Sequence, residues 1–197
     1  MKFSCEKALL QSMITIASRA VAPKSTIPAL EGVLLEAEQE LNLTGYNLKT
    51  GIRGTISADI AEPGSIVLSA RLFGDIIRRL PDDMVTLSTD DLMVNITCGM
   101  SEFNILGMDP SQFPELPAVE YQNSMILPQR ILHSMITETI FAVSTNDSRP
   151  IHTGELFERN GEGLLTVVAV DGYRLALRRE TTQLNVSETA CQFVIPA

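Results

Sequence analysis

The tetrapeptide SMIT occurs at residues 12–15 and again at 134–137, 122 positions later. At the same offset Pro28 answers to Pro150, Gly32 to Gly154, Leu34 to Leu156 and Glu36 to Glu158. The frame then drifts to 124, pairing Leu41 with Leu165, Leu43 with Val167 and Asn47 with Asp171. It drifts again to 127, where IVLSA at 66–70 meets FVIPA at 193–197. An echo that brings a proline, a glycine and an apolar strand with it is a duplicated unit of roughly 120 residues, within the usual size of one domain.

That repeat constrains the fold more than any other feature. The first copy continues past Ala70 with RLFGDIIRRLP and more strand-like segments. The second copy ends at Ala197, the equivalent of Ala70. The expected organisation is therefore a first domain at 1–120 and a second, incomplete one at 121–197. The chain reads as cut inside its second domain, with a natural deletion in the second copy as the alternative.

Within each copy the hydrophobic period alternates. Residues from Glu6 to about Val21 read as a helix with Leu9, Leu10, Met13, Ile14 and Ala17 on one face. VAPKSTIP at 21–28 is a loop. From Ala29 the period is two, and strands are expected at Leu41–Leu43, Ile52–Ile56, Val85–Leu87, Leu92–Cys98 and Phe103–Ile105. Residues 70–80 return to a helix, with Leu72, Phe73, Ile76, Ile77 and Leu80 on its apolar stripe and Arg71, Asp75, Arg78 and Arg79 off it. Residues 108–124 hold three prolines and no period, and read as the interdomain linker. The second copy opens with a helix at Pro128, placed as a first-turn proline. Ile131, Leu132, Met135 and Ile136 form its buried face. Helix, strands, helix, strands is an α+β pattern, with helices collected on one side of antiparallel sheets.

Charge and cysteines narrow the function classes. A net charge of −9 is wrong for a general nucleic-acid binder, so any DNA contact needs a local basic surface. The candidates are Arg19 on the first helix, Arg71, Arg78 and Arg79 on the second, and Lys24 in the VAPKSTIP loop. The three cysteines are far apart, odd in number and lack CxxC spacing, so neither a disulfide framework nor a zinc site is expected. This fits a reducing cytosol, and no signal peptide or membrane span is expected. No GxSxG, HExxH or P-loop pattern occurs. Asp171, Arg174, His152 and His133 are the catalytic residue types of the second copy, and Asp171 has only Asn47 as its counterpart. An enzyme is not expected, nor a cofactor.

In AVDGYRLALRR, Gly172 permits a tight turn after a strand-like run. Leu175 can offer an apolar floor and Arg174 a cationic rim to an extended peptide. A plain hairpin with an exposed Tyr173 is the alternative.

Taken in order, MKF, KSTIPALEGVLLE, LTGYNL, FPELP, RPIHTG and AVDGYRLAL resemble the bacterial sliding DNA clamp family, the beta subunit of DNA polymerase III. The resemblance covers the whole chain. It implies three copies of one domain per subunit and a head-to-tail homodimer closing a ring. Helices would line the hole around double-stranded DNA, with sheets outside. It implies a cytoplasmic processivity factor whose partners are the polymerase III catalytic subunit, the clamp loader and other proteins with clamp-binding tails. It places DNA contacts at Lys24 and Asn146. Carried over position by position, it implies a peptide pocket at Arg149, His152, Val170, Gly172, Tyr173, Arg174 and Leu175. Its other half would come from a third copy that this chain lacks. The family often has an apolar residue where this chain has His152. Arg71, Arg78 and Arg79 face either DNA or a subunit interface. A protein-binding scaffold that never encircles DNA is the other reading of the repeat and the acidic charge.

Overall fold

The computed structural model describes residues 1–118, 126–146, 148–160, 163–181 and 190–197. The chain divides into two compact units, Met1–Ala118 and Val119–Ala197.

The first unit opens with β1 (Lys2–Glu6) and α1 (Lys7–Ala17), followed by 3-10 turns at Ser18–Ala20 and Pro28–Glu31. Then come β2 (Gly32–Ala37), β3 (Leu41–Tyr46), β4 (Gly51–Ile56), β5 (Asp59–Glu62) and β6 (Gly64–Ser69). α2 (Ala70–Arg79) leads to β7 (Met84–Asp90), β8 (Met93–Cys98) and β9 (Ser101–Leu106). Two antiparallel sheets result, ordered β5-β1-β7-β8-β9 and β4-β3-β2-β6. Helices make two of the crossovers between the sheets, and the run β4–β5–β6 makes two more without one. β1 and α1 carry the chain from the five-stranded sheet to the four-stranded one, and β6 and α2 carry it back.

Period-two alternation puts one face of each strand inward. One buried cluster joins Phe3, Leu87 and Ile96 of the first sheet to Val33, Leu43 and Leu68 of the second, with Leu10 and Ile14 of α1 and Phe73 and Ile77 of α2. Leu9 and Leu72 depart from the expected stripes, at 41% and 47% exposure. At 100° per residue, each lies about 90° or more from the centre of its helix's buried face. The helix expected from Glu6 starts one residue later, and β1 precedes it. Five residues with only Phe3 and Cys5 buried are too short to announce a strand. The Cys5 thiol is pushed up to about 12, chiefly by burial and secondarily by Glu6, which suits a packing residue.

The segment expected as a free linker belongs in part to the first unit. Met108 exchanges backbone hydrogen bonds with Val67, and Phe113 is buried against Leu30, Tyr46 and Val67. Residues 119–124 of that segment lie outside the described residues.

The second unit holds α3 (Gln129–Thr139), 3-10 turns at Ile140–Ala142 and Pro150–Thr153, and strands β10 (Gly154–Arg159), β11 (Leu164–Val170), β12 (Leu175–Thr181) and β13 (Cys191–Pro196). Pro128 is the N-cap of α3 rather than its first helical residue, with extended ψ of 126°. Met135 is fully buried against Phe157, Leu165 and Val167, flanked by partly buried Ile131, Leu132 and Ile136. The sheet order β12-β11-β10-β13 reproduces β4-β3-β2-β6 strand for strand. The likeness reaches single atoms. Thr15 Oγ1 donates to the Gln11 carbonyl and Thr137 Oγ1 to the His133 carbonyl, each at 2.8 Å. Gly32 and Gly154 both open a strand pressed against its neighbour. A Cβ there would stand 2.6 Å from Val67 Cγ1 and 2.4 Å from the Ile195 oxygen, respectively. The fold class is α+β.

Candidate functional site

A cleft of about 500 Å³ opens in the second unit. One wall is the loop after the Ile140–Ala142 turn, Val143–Arg149, together with His152. The other is the turn Asp171–Arg174 between β11 and β12. Asp147 of the loop lies outside the described residues. The loop is pinned by Ser144 N donating to the His152 carbonyl at 2.8 Å and by His152 N donating to the Arg149 carbonyl at 2.9 Å. Within it Asn146 Oδ1 accepts from Ser148 N at 3.0 Å.

The turn is built by Asp171. Its Oδ1 accepts from the backbone N–H of Tyr173 and Arg174, both at 3.0 Å, and its Oδ2 accepts from Arg174 Nε at 2.7 Å. The two backbone donors hold its carboxyl below the usual aspartate range. Gly172 takes the left-handed conformation at φ +93° that closes the turn. The first unit makes the same turn with Asn47, whose Oδ1 accepts from Lys49 N at 3.0 Å and Thr50 N at 2.7 Å. There the left-handed position, equivalent to Gly172, is Leu48 at φ +70°. Asp171 is thus a turn-former matched to Asn47.

Of the expected pocket residues, Arg149, His152, Gly172, Tyr173 and Arg174 line this cleft. Val170 and Leu175 do not. They are the strand ends that bracket the turn, and Leu175 is 64% exposed on the sheet face. Asn146, expected at DNA, lines the same cleft. It is the repeat equivalent of Lys24 at the offset of 122, and Lys24 is exposed in the matching loop of the first unit. Val143, Ser144, Thr145, Ser148 and Asp171 complete the lining and were not among the expected pocket residues. Asp171 had a readable signal, an Asx residue before glycine at the end of an apolar strand.

Three arginines of the first unit, Arg71, Arg78 and Arg79, lie on α2. Arg71 and Arg78 line a groove of about 300 Å³ between α1 and α2, opposite Gln11, Thr15 and Ser18. Arg78 is ion-paired with Asp75, one turn before it. Arg79 is exposed outside that groove, and so is Arg19 in the turn after α1. The groove can offer guanidinium and hydroxyl donors to an anionic backbone, with Asp75 limiting its net charge. No cluster of metal-ligating side chains occurs among the described residues. No helix among them is long and apolar enough to cross a membrane.

Residues 1–117 match the DNA polymerase III beta subunit family in its N-terminal domain, and residues 126–197 match the central domain. The beta sliding clamp of Halalkalibacterium halodurans is 35% identical over 198 residues, covering 95% of this chain and 52% of that protein. The crystal structure of the DNA polymerase beta subunit of Streptococcus pyogenes aligns with a TM-score of 0.91 at 34% identity, over 100% of this chain and 53% of that one. A sliding clamp of Pseudomonas aeruginosa, solved bound to griselimycin, aligns with a TM-score of 0.91 at 32% identity, again over 100% and 53%. This chain therefore spans about half the length of the relatives it matches. With both units matched in order, the chain belongs to the DNA polymerase III beta subunit family of sliding clamps.

Proposed function

We infer that this chain supplies two units of a processivity factor, a sliding clamp that tethers DNA polymerase III and other proteins to duplex DNA without reading sequence. The observation that carries this reading is the division of labour within a family-matched fold. Three arginines sit on α2 of the first unit, and a preorganised cleft sits on a sheet turn of the second.

A clamp must attract the duplex and still slide. Phosphate contacts supply sequence-independent attraction, and each adds to the salt dependence of binding. Few cations on an acidic chain keep that attraction weak. Arg71 and Arg78, with Lys24 and Asn146 at equivalent loop positions, are the proposed DNA-facing residues. Arg79 is proposed with them from its place on α2. The cleft at Arg149, His152, Gly172, Tyr173 and Arg174, with Val170 and Leu175 at its border, is the proposed seat for partner tails. Tyr173 is fully exposed and free to fold over a bound chain. The tails would come from the polymerase catalytic subunit, the clamp loader and other clamp-binding proteins. Subunit pairing is proposed at β9, an edge strand exposing Phe103 and Leu106. Polymerase chemistry is assigned to the partner. A cytoplasmic location follows from that role.

The test is peptide titration. A clamp-binding tail peptide is predicted to shift the amide signals of 143–149 and 171–174, and Arg174→Ala is predicted to weaken it. Unchanged titration curves for Arg174→Ala and for Asn146→Ala together would remove the cleft assignment.

A further inference from the structure

On the first unit, cross-strand partners Arg53, Thr44, Leu34 and Val67 form one row on the outer face of the four-stranded sheet. The opposite face carries Leu35, Leu43 and Leu68 into the main core. The segment from Met108 to Leu116 lies across the outer face as a strap. Met108 and Val67 exchange hydrogen bonds of 2.8 and 3.1 Å at β6. Phe113 packs with Tyr46 and Val67, and a Cβ on Gly51 of β4 would come within 2.8 Å of Leu116 Cδ2. Strap and sheet do not close on each other everywhere. A cavity of about 580 Å³ lies between them, lined by Leu34, Glu36, Thr44 and Arg53 of the sheet and by Phe113 and Leu116 of the strap.

Thr44 is the residue that points to a ligand. It is 2% exposed, and its hydroxyl has no hydrogen-bond partner among the described residues. Burying a hydroxyl without a partner costs stability, and valine has nearly the same shape without that cost. The second copy takes valine. Val168 stands at the position of Thr44, since the pair Leu156 and Val168 matches the pair Leu34 and Thr44. Arg53 repeats the pattern, with Leu177 as its counterpart. Its guanidinium makes one hydrogen bond, from Nη2 to Glu36 Oε2 at 3.1 Å, which leaves further N–H donors. Thr44 and Arg53 are direct cross-strand partners, close enough to reach a common acceptor.

The charges around the cavity narrow what that acceptor is. Arg53 is the one cation of the lining, against the carboxylates of Glu36 and Glu115. A third carboxylate would be repelled, whereas a neutral carbonyl accepts from Thr44 and Arg53 without adding charge. A neighbouring amide N–H can donate to one of the two glutamates. Leu34, Phe113 and Leu116 leave the rest of the space to an apolar group. We propose that this cavity binds a neutral amide bearing one apolar side group, its carbonyl held by the Thr44 hydroxyl and the Arg53 guanidinium. The volume is that of a small-molecule site. The site consists of first-unit residues alone, and so is separate from the cleft at Asn146 and Arg174.

The experiment titrates the isotope-labelled 197-residue chain with N-acetyl-leucine amide at millimolar concentrations. Saturable shifts are expected at the amides of Leu34, Thr44, Arg53, Phe113 and Leu116. Thr44→Val, which installs the residue of the second copy, should lower affinity about fivefold while the urea midpoint stays level or rises. Arg53→Leu should weaken binding to a similar degree. N-acetyl-leucine, with its free carboxylate, should bind more weakly than the amide. A capped alanine–leucine–alanine peptide that binds more tightly than the single residue assigns the site to a peptide segment, and one that binds no better assigns it to a free amide. Either result sustains the proposal when Thr44→Val weakens the binding. Absence of saturable shifts overturns it. So does an affinity that Thr44→Val leaves unchanged in a folded chain, or a carboxylate that binds as tightly as the amide.

Discussion

Asp171 and Asn47 close the same turn, and the residues after them differ in a way that can be measured. Leu48 holds the left-handed conformation that Gly172 holds in the second copy. That conformation costs a branched side chain roughly 1–2 kcal/mol. Leu48→Gly is predicted to raise stability by up to about 1 kcal/mol in urea unfolding, after the greater flexibility of glycine in the unfolded chain is subtracted. Gly172→Leu should lower it by a similar amount and disturb the cleft. Equal and unchanged midpoints would contradict the strain assignment. The acid has its own signature. Because the Asp171 carboxyl is depressed, its contribution to the turn is fully present above the ordinary aspartate pKa of about 3.9 and is lost only as pH falls through the lower folded value. The amide signals of Tyr173 and Arg174 are predicted to hold steady through the ordinary aspartate range and to move below it. Movement centred at or above that range would show an unperturbed acid. On the basic side, Arg71→Ala in a ring-forming protein should reduce the salt slope of DNA binding by about 1, whatever the sequence. Arg78→Ala should do less, because Asp75 already offsets its charge. An unchanged slope for Arg71→Ala would take that arginine off the DNA path.

Among the elements, the paired sheets rest on glycines at matched strand starts. A side chain at Gly154 meets the backbone oxygen of Ile195, which cannot swing aside. Gly154→Val is predicted to displace β13 and cost about 1–3 kcal/mol, read from unfolding midpoints. A neutral result would mean that β13 is not held where the register places it. The repeat made much of this legible. SMIT, PxxxG and the Asn47–Asp171 match mark helix, turn and strand starts because each serves a local geometric need. Leu9 and Leu72 were misplaced for a reason of degree: a leucine 90° off a stripe satisfies the pattern as counted but not the packing. The strap was hidden for a reason of kind. Residues 108–117 have no period, since Phe113 and Leu116 are set by Tyr46, Val67 and Gly51, far away in sequence. The same limit applies to the cleft. Arg149, His152, Gly172, Tyr173 and Arg174 could be named by resemblance. Ser144 and Ser148 enter the lining only because the 3-10 turns and the β10 start bring their loop beside the Asp171 turn.

At the scale of the whole molecule, the central claim is topological. In the proposed reading, the helical face of the first unit attracts DNA only weakly, and hold on DNA comes from closing a ring. Ring closure is proposed to need a third unit, paired with the first unit of a second subunit. The most direct measurement is retention on nicked circular duplex under a high-salt wash, compared with the same DNA after linearisation. The 197-residue chain alone is predicted to wash off both. A protein in which this chain continues into a third unit is predicted to stay on the circle and to run off once it is cut. Retention of the 197-residue chain on linear DNA at high salt, or loss of the longer protein from the circle, would contradict the account.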